Sequence, residues 1–331
     1  MPFEKNQNAI SPKIGVLLTN LGTPNSPSVK DVRAYLKEFL SDSRVVTMPK
    51  ILWWPVLNFI ILNTRPKHSA AAYAKVWTDE GSPLLTISQQ QADALQAALE
   101  VHSPEKYTLE LAMRYGEPSI AHGLEKLKQQ NVSRIIVLPL YPQFSHTTTS
   151  STKDALEQAY KKNALPEYFF IEDYHASPAY IEALSSSVQD YWTEHGQAEK
   201  LLMSFHGIPQ AYVDAGDPYA EQCQKTADLL AKALKLKDSQ WQLSFQSRLG
   251  PKQWLQPYTD QALKALAGEG VKSVQVMCPG FSADCLETLE EIAIENRDYF
   301  LEAGGEHYAY IPCLNDRADH IQALVGLIAA A

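Results

Sequence analysis

Short, nearly unbroken apolar runs alternate along this chain with longer stretches in which apolar residues recur every third or fourth position. The runs at 14–19, 107–113, 134–138 and 168–171 in the first half, and at 200–205, 240–245, 273–277 and 307–311 in the second, predict strands buried on both faces. A sheet covered on one side only would instead alternate polar and apolar residues. Helical patterns over 28–39, 118–130, 178–195, 218–235 and 257–269 fill intervals between them, several with proline in the first turn, where its missing N–H has no partner to lose. Such alternation predicts an α/β fold built from parallel sheets with right-handed crossovers.

Two details refine that plan. RIIVLPLYPQFS (134–145) and SVQVMCPGFS (273–282) both run strand, proline, Phe-Ser, which suggests two similar halves. The run ILWWPVLNFIIL (51–62) fits neither a strand nor a helix period, is broken by Pro55, and has Lys50 and Arg65 near its ends. It is shorter than the roughly 20 residues a membrane-spanning helix needs.

At 331 residues and 45% hydrophobic content the chain suffices for two well-packed domains. A formal charge of -9 argues against a nucleic-acid surface. The first twelve residues are polar and lack the features of a signal or transit peptide, so a cytoplasmic location is expected. Cys223, Cys278, Cys285 and Cys313 form no Cys-x-x-Cys pair and are expected as free thiols. Leu21, Gly22 and Thr23, after the first strand, do not make the glycine fingerprint of a dinucleotide site.

Candidate chemistry lies in the second half. MSFHGIP (203–209), followed by GDPY (216–219), puts His206 in a Gly/Pro-rich loop just after a buried strand. Ligands of open α/β sheets bind at the carboxyl ends of parallel strands. A lone histidine is more often structural, so it needs a partner. In CPGFSADCLETLEEIAIEN (278–296) another strand turns through Pro279, Gly280 and Phe281 into a helix carrying Glu287, Glu291 and Glu295 at i, i+4 and i+8. On an α-helix these carboxylates would stack on one face, roughly 6 Å apart. The row reads either as a solvated acidic face, with Glu290 beside it, or as a track for cations or protons leading outward from Glu287.

Six separated motifs stand in the order found in ferrochelatases: LLTNLGTP (17–24), AMRYG (112–116), LYPQFSHTTTSS (140–151), SFHGIP with GDPY, FQSRLGPKQWLQP (245–257) and CPGFSADCLETLEEI (278–292). The chain resembles that family over nearly its whole length. The resemblance implies two Rossmann-like, chelatase-type domains with the active-site cleft between them. These are residues 1–165, with an apolar lip at 48–66, and 166–314, while 315–331 form a helix that packs back on the first domain. It implies insertion of Fe2+ into protoporphyrin IX to give protoheme with release of two protons, the final step of heme synthesis. By the same resemblance His206 and Glu287 are catalytic and meet the metal, Glu291 and Glu295 form the path, and Leu21, Tyr115, Tyr141, Trp254 and Phe281 line the cleft. Lys75, Arg114 and Ser145 are the polar candidates near the porphyrin or its propionates. Whether His206 accepts protons or ligates iron stays open.

His146 stands where cluster-containing animal relatives have a cysteine ligand, and the chain ends soon after its last helix. No iron–sulfur cluster and no other permanent cofactor is therefore expected, iron being substrate. The lip, with Trp53, Trp54 and Phe59 exposed, is expected to touch porphyrin and to make reversible, peripheral membrane contact. Its apolar character favours protoporphyrin over coproporphyrin. Leu21, Lys75 and Cys285 depart from residues common in familiar members. Rival readings are a non-catalytic porphyrin or heme carrier, which leaves the glutamate row unexplained, and a chelatase for another metal or a more carboxylated tetrapyrrole.

Overall fold

The structure, a computed structural model, describes residues 13–162, 164–248, 250 and 252–331. The polar segment 1–12 therefore lies outside the described residues, as do Leu249 and Pro251 of the 245–257 motif. Each apolar run forms a strand: β1 Ile14–Gly22, β2 Tyr107–Tyr115, β3 Arg134–Pro139, β4 Tyr168–Phe170, β5 Lys200–His206, β6 Trp241–Gln246, β7 Ser273–Met277 and β8 His307–Tyr310. They assemble into two parallel sheets, in the orders β2-β1-β3-β4 and β6-β5-β7-β8. Because β4 pairs with β3 through Ile135↔Tyr168, the first sheet extends past the boundary expected at residue 165.

The unbroken apolar runs are explained by burial on both faces. Val16 and Leu18 of β1 join a central core shared with Leu201, Met203 and Phe205 of β5, while Leu17 between them faces the outer core of the first half. On the second sheet Leu202 points to that half's own outer core. Each fully buried Leu of this kind contributes about 1.5–3 kcal/mol. Helices Pro83–His102, Pro178–His195, Tyr219–Ala233 and Ala318–Ala330 supply the central layer. The last of these inserts Ile321, Leu324, Val325 and Ile328 and packs on both Pro83–His102 and Pro178–His195.

Two segments differ from their expected form. The acidic row lies on a π-helix, Glu287–Asn296, rather than an α-helix. Side-chain donors enter its carbonyl ladder: Gln246 Nε2 donates to Glu287 O (3.0 Å), Asn296 Nδ2 to Glu291 O (2.8 Å) and Tyr308 Oη to Ile292 O (2.6 Å). Such bonds support a wider coil and leave no trace in apolar spacing. The aperiodic run at 51–62 is also helical, with Lys50–Pro55 and a π-helical Val56–Ile61 leading into helix Leu62–Val76. Its period is masked because its outer side is apolar as well: Ile51, Leu52, Trp54, Phe59 and Ile60 are exposed. Trp53, expected among the exposed residues, turns inward, donating from Nε1 to Leu40 O (2.6 Å) and packing against the cluster of Leu40, Leu57 and Leu62.

Candidate active site

The carboxyl ends of the two sheets meet. Ser145 Oγ and His146 N, after β3, both donate to Asp217 Oδ2 of the second half (2.9 and 2.8 Å), and Gln143 Nε2 donates to Thr226 Oγ1 (3.0 Å). The strand ends that carry the sequence motifs therefore converge on the junction.

His206 is the last residue of β5 rather than part of the following loop, and it is half-buried. Its Nδ1 lies 2.7 Å from Gly207 O. A carbonyl only accepts, so Nδ1 is the donor, and in the neutral ring the lone pair is on Nε2. The turn depends on glycine, because a Cβ at Gly207 would come within 2.8 Å of Gln246 O, which also accepts from Gly207 N (2.8 Å). Phe281 lies beside the imidazole, with ring centroids 6.4 Å apart.

Glu287 opens the π-helix and faces both halves. Burial chiefly, and then the charges of Tyr73 and Glu287, push the Tyr35 phenol above its ordinary pKa; burial and then Glu287 do the same for Tyr73. The buried Cys285 thiol is raised likewise by burial, with Glu287 next. The carboxylate is thus within electrostatic reach of two phenols of the first half and one thiol of its own. Gln246, buried at the end of β6, joins this carboxylate's backbone to the histidine strand: its Nε2 holds Glu287 O, its Oε1 accepts from Ser204 Oγ (2.7 Å), and its own carbonyl holds Gly207.

Outward along the row, Glu291 is half-buried and takes both the N–H (2.7 Å) and the hydroxyl of Ser247 on its two oxygens. Burial, opposed by these bonds and reinforced by Glu287 and Glu295, raises its pKa to about 7. Glu295 is exposed and accepts from Tyr299 Oη (3.2 Å). A cavity of about 240 Å³, lined by Ser247, Arg248, Asp260, Glu291, Glu295 and Tyr299, opens at this end. Glu290, off the row, pairs with Lys75 Nζ at 2.6 Å. A plain solvated face does not describe an arrangement in which Glu291 is desolvated and Glu290 is tied to the other half.

The first half supplies walls. Tyr115 and Tyr141 are buried, while Leu21 is half-buried, as are Phe281 and Trp254 of the second half. Gly22 permits the close approach of β1 and β2 beside Leu21: its φ is +109°, and a Cβ there would lie 1.8 Å from Tyr115 O. The polar candidates already hold partners, Lys75 with Glu290, Arg114 with Asp42 (2.6 Å) and Ser145 with Asp217. Among the described residues no three His, Cys, Asp or Glu side chains converge as a metal cage.

Several residues that shape the site were not singled out by sequence: Asp42, Tyr35, Tyr73, Gln246, Ser247 and Asp217. The last three lie inside the quoted motifs, Gln246 and Ser247 in FQS and Asp217 in GDPY, so the signal was present. Tyr35, Tyr73 and Asp42 carry no pattern that distinguishes them from ordinary helix and turn residues.

The ferrochelatase family profile matches residues 13–331. The chain is 54% identical over 327 residues to the ferrochelatase of Teredinibacter turnerae, covering 98% of this chain and 88% of that one. It is 52% identical over 317 residues to the ferrochelatase of Aeromonas hydrophila, covering 96% and 98%. Among solved structures it is similar to SirB from Bacillus subtilis with Fe3+, at a TM-score of 0.57 and 11% identity over 96% of this chain and 94% of that one. A second, the sirohydrochlorin chelatase SirB from Bacillus subtilis subspecies spizizenii in complex with cobalt, gives 0.53 and 13% over 95% and 93%. At such low identity these structures speak for the fold alone.

Proposed function

The chain belongs to the ferrochelatase family, lyases that insert iron into a porphyrin in heme synthesis, and on that premise we propose which side chains perform the insertion. The reaction must strip water from Fe2+, expose the pyrrole nitrogens and remove two N–H protons. The observation that carries the assignment is the tethered His206, whose Nδ1 is committed to Gly207 O while Nε2 remains a base. That lone pair accepts a pyrrole proton or binds ferrous iron, one at a time. Glu287 supplies a hard oxygen for the metal and a negative charge that stabilises the imidazolium once formed. Glu291, with its pKa near 7, is half-ionised at neutral pH and exchanges protons readily, and Glu295 meets solvent and incoming cations at the outer end.

Leu21, Tyr115, Tyr141, Trp254 and Phe281 provide apolar walls, and a macrocycle held bent against them is favoured toward the transition state. Lys75 is the most exposed of the three polar candidates, which leaves its ammonium the freest of them to meet a porphyrin propionate. The exposed apolar side chains of the lip suit a substrate that partitions into lipid, and favour protoporphyrin IX over coproporphyrin, with reversible peripheral contact at a membrane surface from the cytoplasm. No helix among the described residues is long and apolar enough to cross a membrane. All four cysteines are buried, and burial raises each thiol pKa, an environment that opposes thiolate ligation and supports a protein without an iron–sulfur cluster.

Anaerobic incubation with Fe2+ and either protoporphyrin IX or coproporphyrin, followed by absorbance, tests the substrate assignment. Heme should form faster from protoporphyrin. Porphyrin bound without turnover, or preferred turnover of coproporphyrin, would contradict it, and stoichiometric acid-labile sulfide in the purified protein would contradict the absence of a cluster.

A further inference from the structure

Asp42 lies in the turn between helix Val29–Leu40 and the lip, and nothing in the chemistry above employs it. Its carboxylate is nonetheless a focus of the first half. Asp42 Oδ2 accepts from Arg114 Nη2 (2.6 Å), Tyr115 Oη (2.8 Å) and Ser151 Oγ (2.6 Å), while Oδ1 accepts from Arg44 N (2.7 Å). Burial alone would raise its pKa, but the bonds from Ser151, Arg44 and Tyr115 and the charge of Arg114 outweigh that and hold the carboxyl below its ordinary value. Ser151 closes the circuit, its Oγ and carbonyl accepting from Arg114 Nε at 2.7 and 2.9 Å. The guanidinium is thereby pressed over the Tyr115 ring, 4.4 Å from its centroid.

The same turn reaches the other half. Tyr212 Oη, in the short helix that follows the His206 turn, donates to Val45 O (2.9 Å) and accepts from Thr47 N (3.4 Å). Three residues after Thr47 the lip helix begins. The Asp42 carboxylate thus anchors to the wall of the first half the turn that leads into the lip, and Tyr212 of the second half holds the backbone of that same turn.

We propose that Asp42 is a positioning residue for porphyrin binding: it fixes Arg114 and Tyr115 in the orientation that receives the macrocycle, without touching the substrate itself. This rests on the reading of Arg114 and Tyr115 as cleft residues. An ion pair with both side chains largely buried, as here, holds geometry more firmly than an exposed pair, and losing one partner leaves the other charge uncompensated. Removing the charge of Asp42 therefore releases the guanidinium, and with it the wall that Tyr115 presents.

The test is steady-state kinetics and porphyrin titration of Asp42→Asn, Arg114→Gln and the double variant, with melting curves for each. Asp42→Asn is expected to raise the porphyrin KM about tenfold, the loss of one charge-assisted bond, with kcat within about threefold and the KM for iron unchanged. The double variant should be no worse than Arg114→Gln alone. A residue that merely stabilised the fold would lower the melting temperature and the active fraction without moving the porphyrin KM. Should Asp42→Asn fail to fold, Ser151→Ala, which removes one donor to Asp42 and one acceptor of Arg114, is expected to show a milder rise in the same constant. An unchanged porphyrin KM in Asp42→Asn, or in Ser151→Ala where that stands in, alongside a raised one in Arg114→Gln, overturns the proposal and leaves the cleft reading intact, as does strict additivity. Unchanged porphyrin KM in Arg114→Gln itself would remove the cleft reading, and the proposal with it.

Discussion

Strand for strand, β2-β1-β3-β4 and β6-β5-β7-β8 are one arrangement used twice. In each half a glycine at or just after the end of the first strand is pressed against the neighbouring strand's carbonyl, Gly22 closing β1 on Tyr115 O and Gly207 following β5 on Gln246 O. The neighbouring strand is then tied back in the same way, Met113 N to Pro118 O (2.6 Å) and Phe245 N to Pro257 O (2.8 Å). A π-helical segment follows the third strand in both halves, His146–Ser150 and Glu287–Asn296. What differs is the state of the polar groups at these ends. In the first half Arg114, Ser145 and Asp42 are bonded to one another or to fixed partners across the junction. In the second, His206 retains an undonated nitrogen and the acidic row contains a carboxyl poised near pH 7. On the proposed assignment the repeated scaffold divides labour: the paired polar groups of the first half hold a shape, while the histidine and the acidic row of the second do the chemistry.

That division is open to attack at several places. Glu287→Gln should lower kcat by about 10²–10⁴-fold, the range for a positioned acid–base group, with porphyrin affinity from fluorescence quenching unchanged. A variant that lost porphyrin binding while keeping its turnover rate would assign Glu287 to the walls. A smaller effect is expected at Glu291. As pH rises through about 7 its carboxyl ionises, so the KM for Fe2+ should fall several-fold in the wild type and stay flat in Glu291→Gln. Stability carries an independent signature. The folded pKa is raised above the unfolded value, so the folded state binds more protons in between, and this contribution is full at low pH and lost as pH rises from about 4.5 to 7. Melting temperatures from pH 5 to 8 should show wild type losing ground to Glu291→Gln across that window. A pH-independent difference would mean that Glu291 is an ordinary surface carboxylate.

The smallest effect on catalysis is expected at the lip. Trp54→Ser with Phe59→Ser should reduce liposome co-sedimentation by roughly tenfold or more, since each inserted aromatic is worth about 1.5–3 kcal/mol, and leave the melting temperature unchanged because both side chains are exposed. A collapse of the fold would make these residues core, and unaltered lipid binding would remove the membrane contact.

Much of this architecture was legible from the sequence because burial on both faces writes itself as unbroken apolar runs, and all eight runs became strands. His206 and the acidic row were found because a strand end followed by Gly-Ile-Pro, and carboxylates at every fourth residue, are rare enough to notice. The π-helix was missed because its carbonyls take side-chain donors that no apolar spacing records, Gln246 and Tyr308 from other strands and Asn296 from its own last residue. Asp42 was invisible for a related reason: three of its four donors lie on residues 114, 115 and 151, far along the chain. Trp53 was misplaced because a tryptophan in an apolar run gives no hint of which side it takes. Periodicity reports burial, and polar networks are written in pairings between segments.

The most direct measurement is anaerobic single turnover of His206→Ala and Arg114→Gln, each first saturated with protoporphyrin and then mixed with Fe2+. With porphyrin bound beforehand, wall defects no longer matter and only the groups that act on the nitrogens and the metal set the rate. Arg114→Gln should then form heme within about threefold of wild type, while His206→Ala should bind porphyrin normally and form heme at least about 100-fold more slowly. Heme formation by His206→Ala at the wild-type rate would contradict the placement of the chemistry at the end of β5.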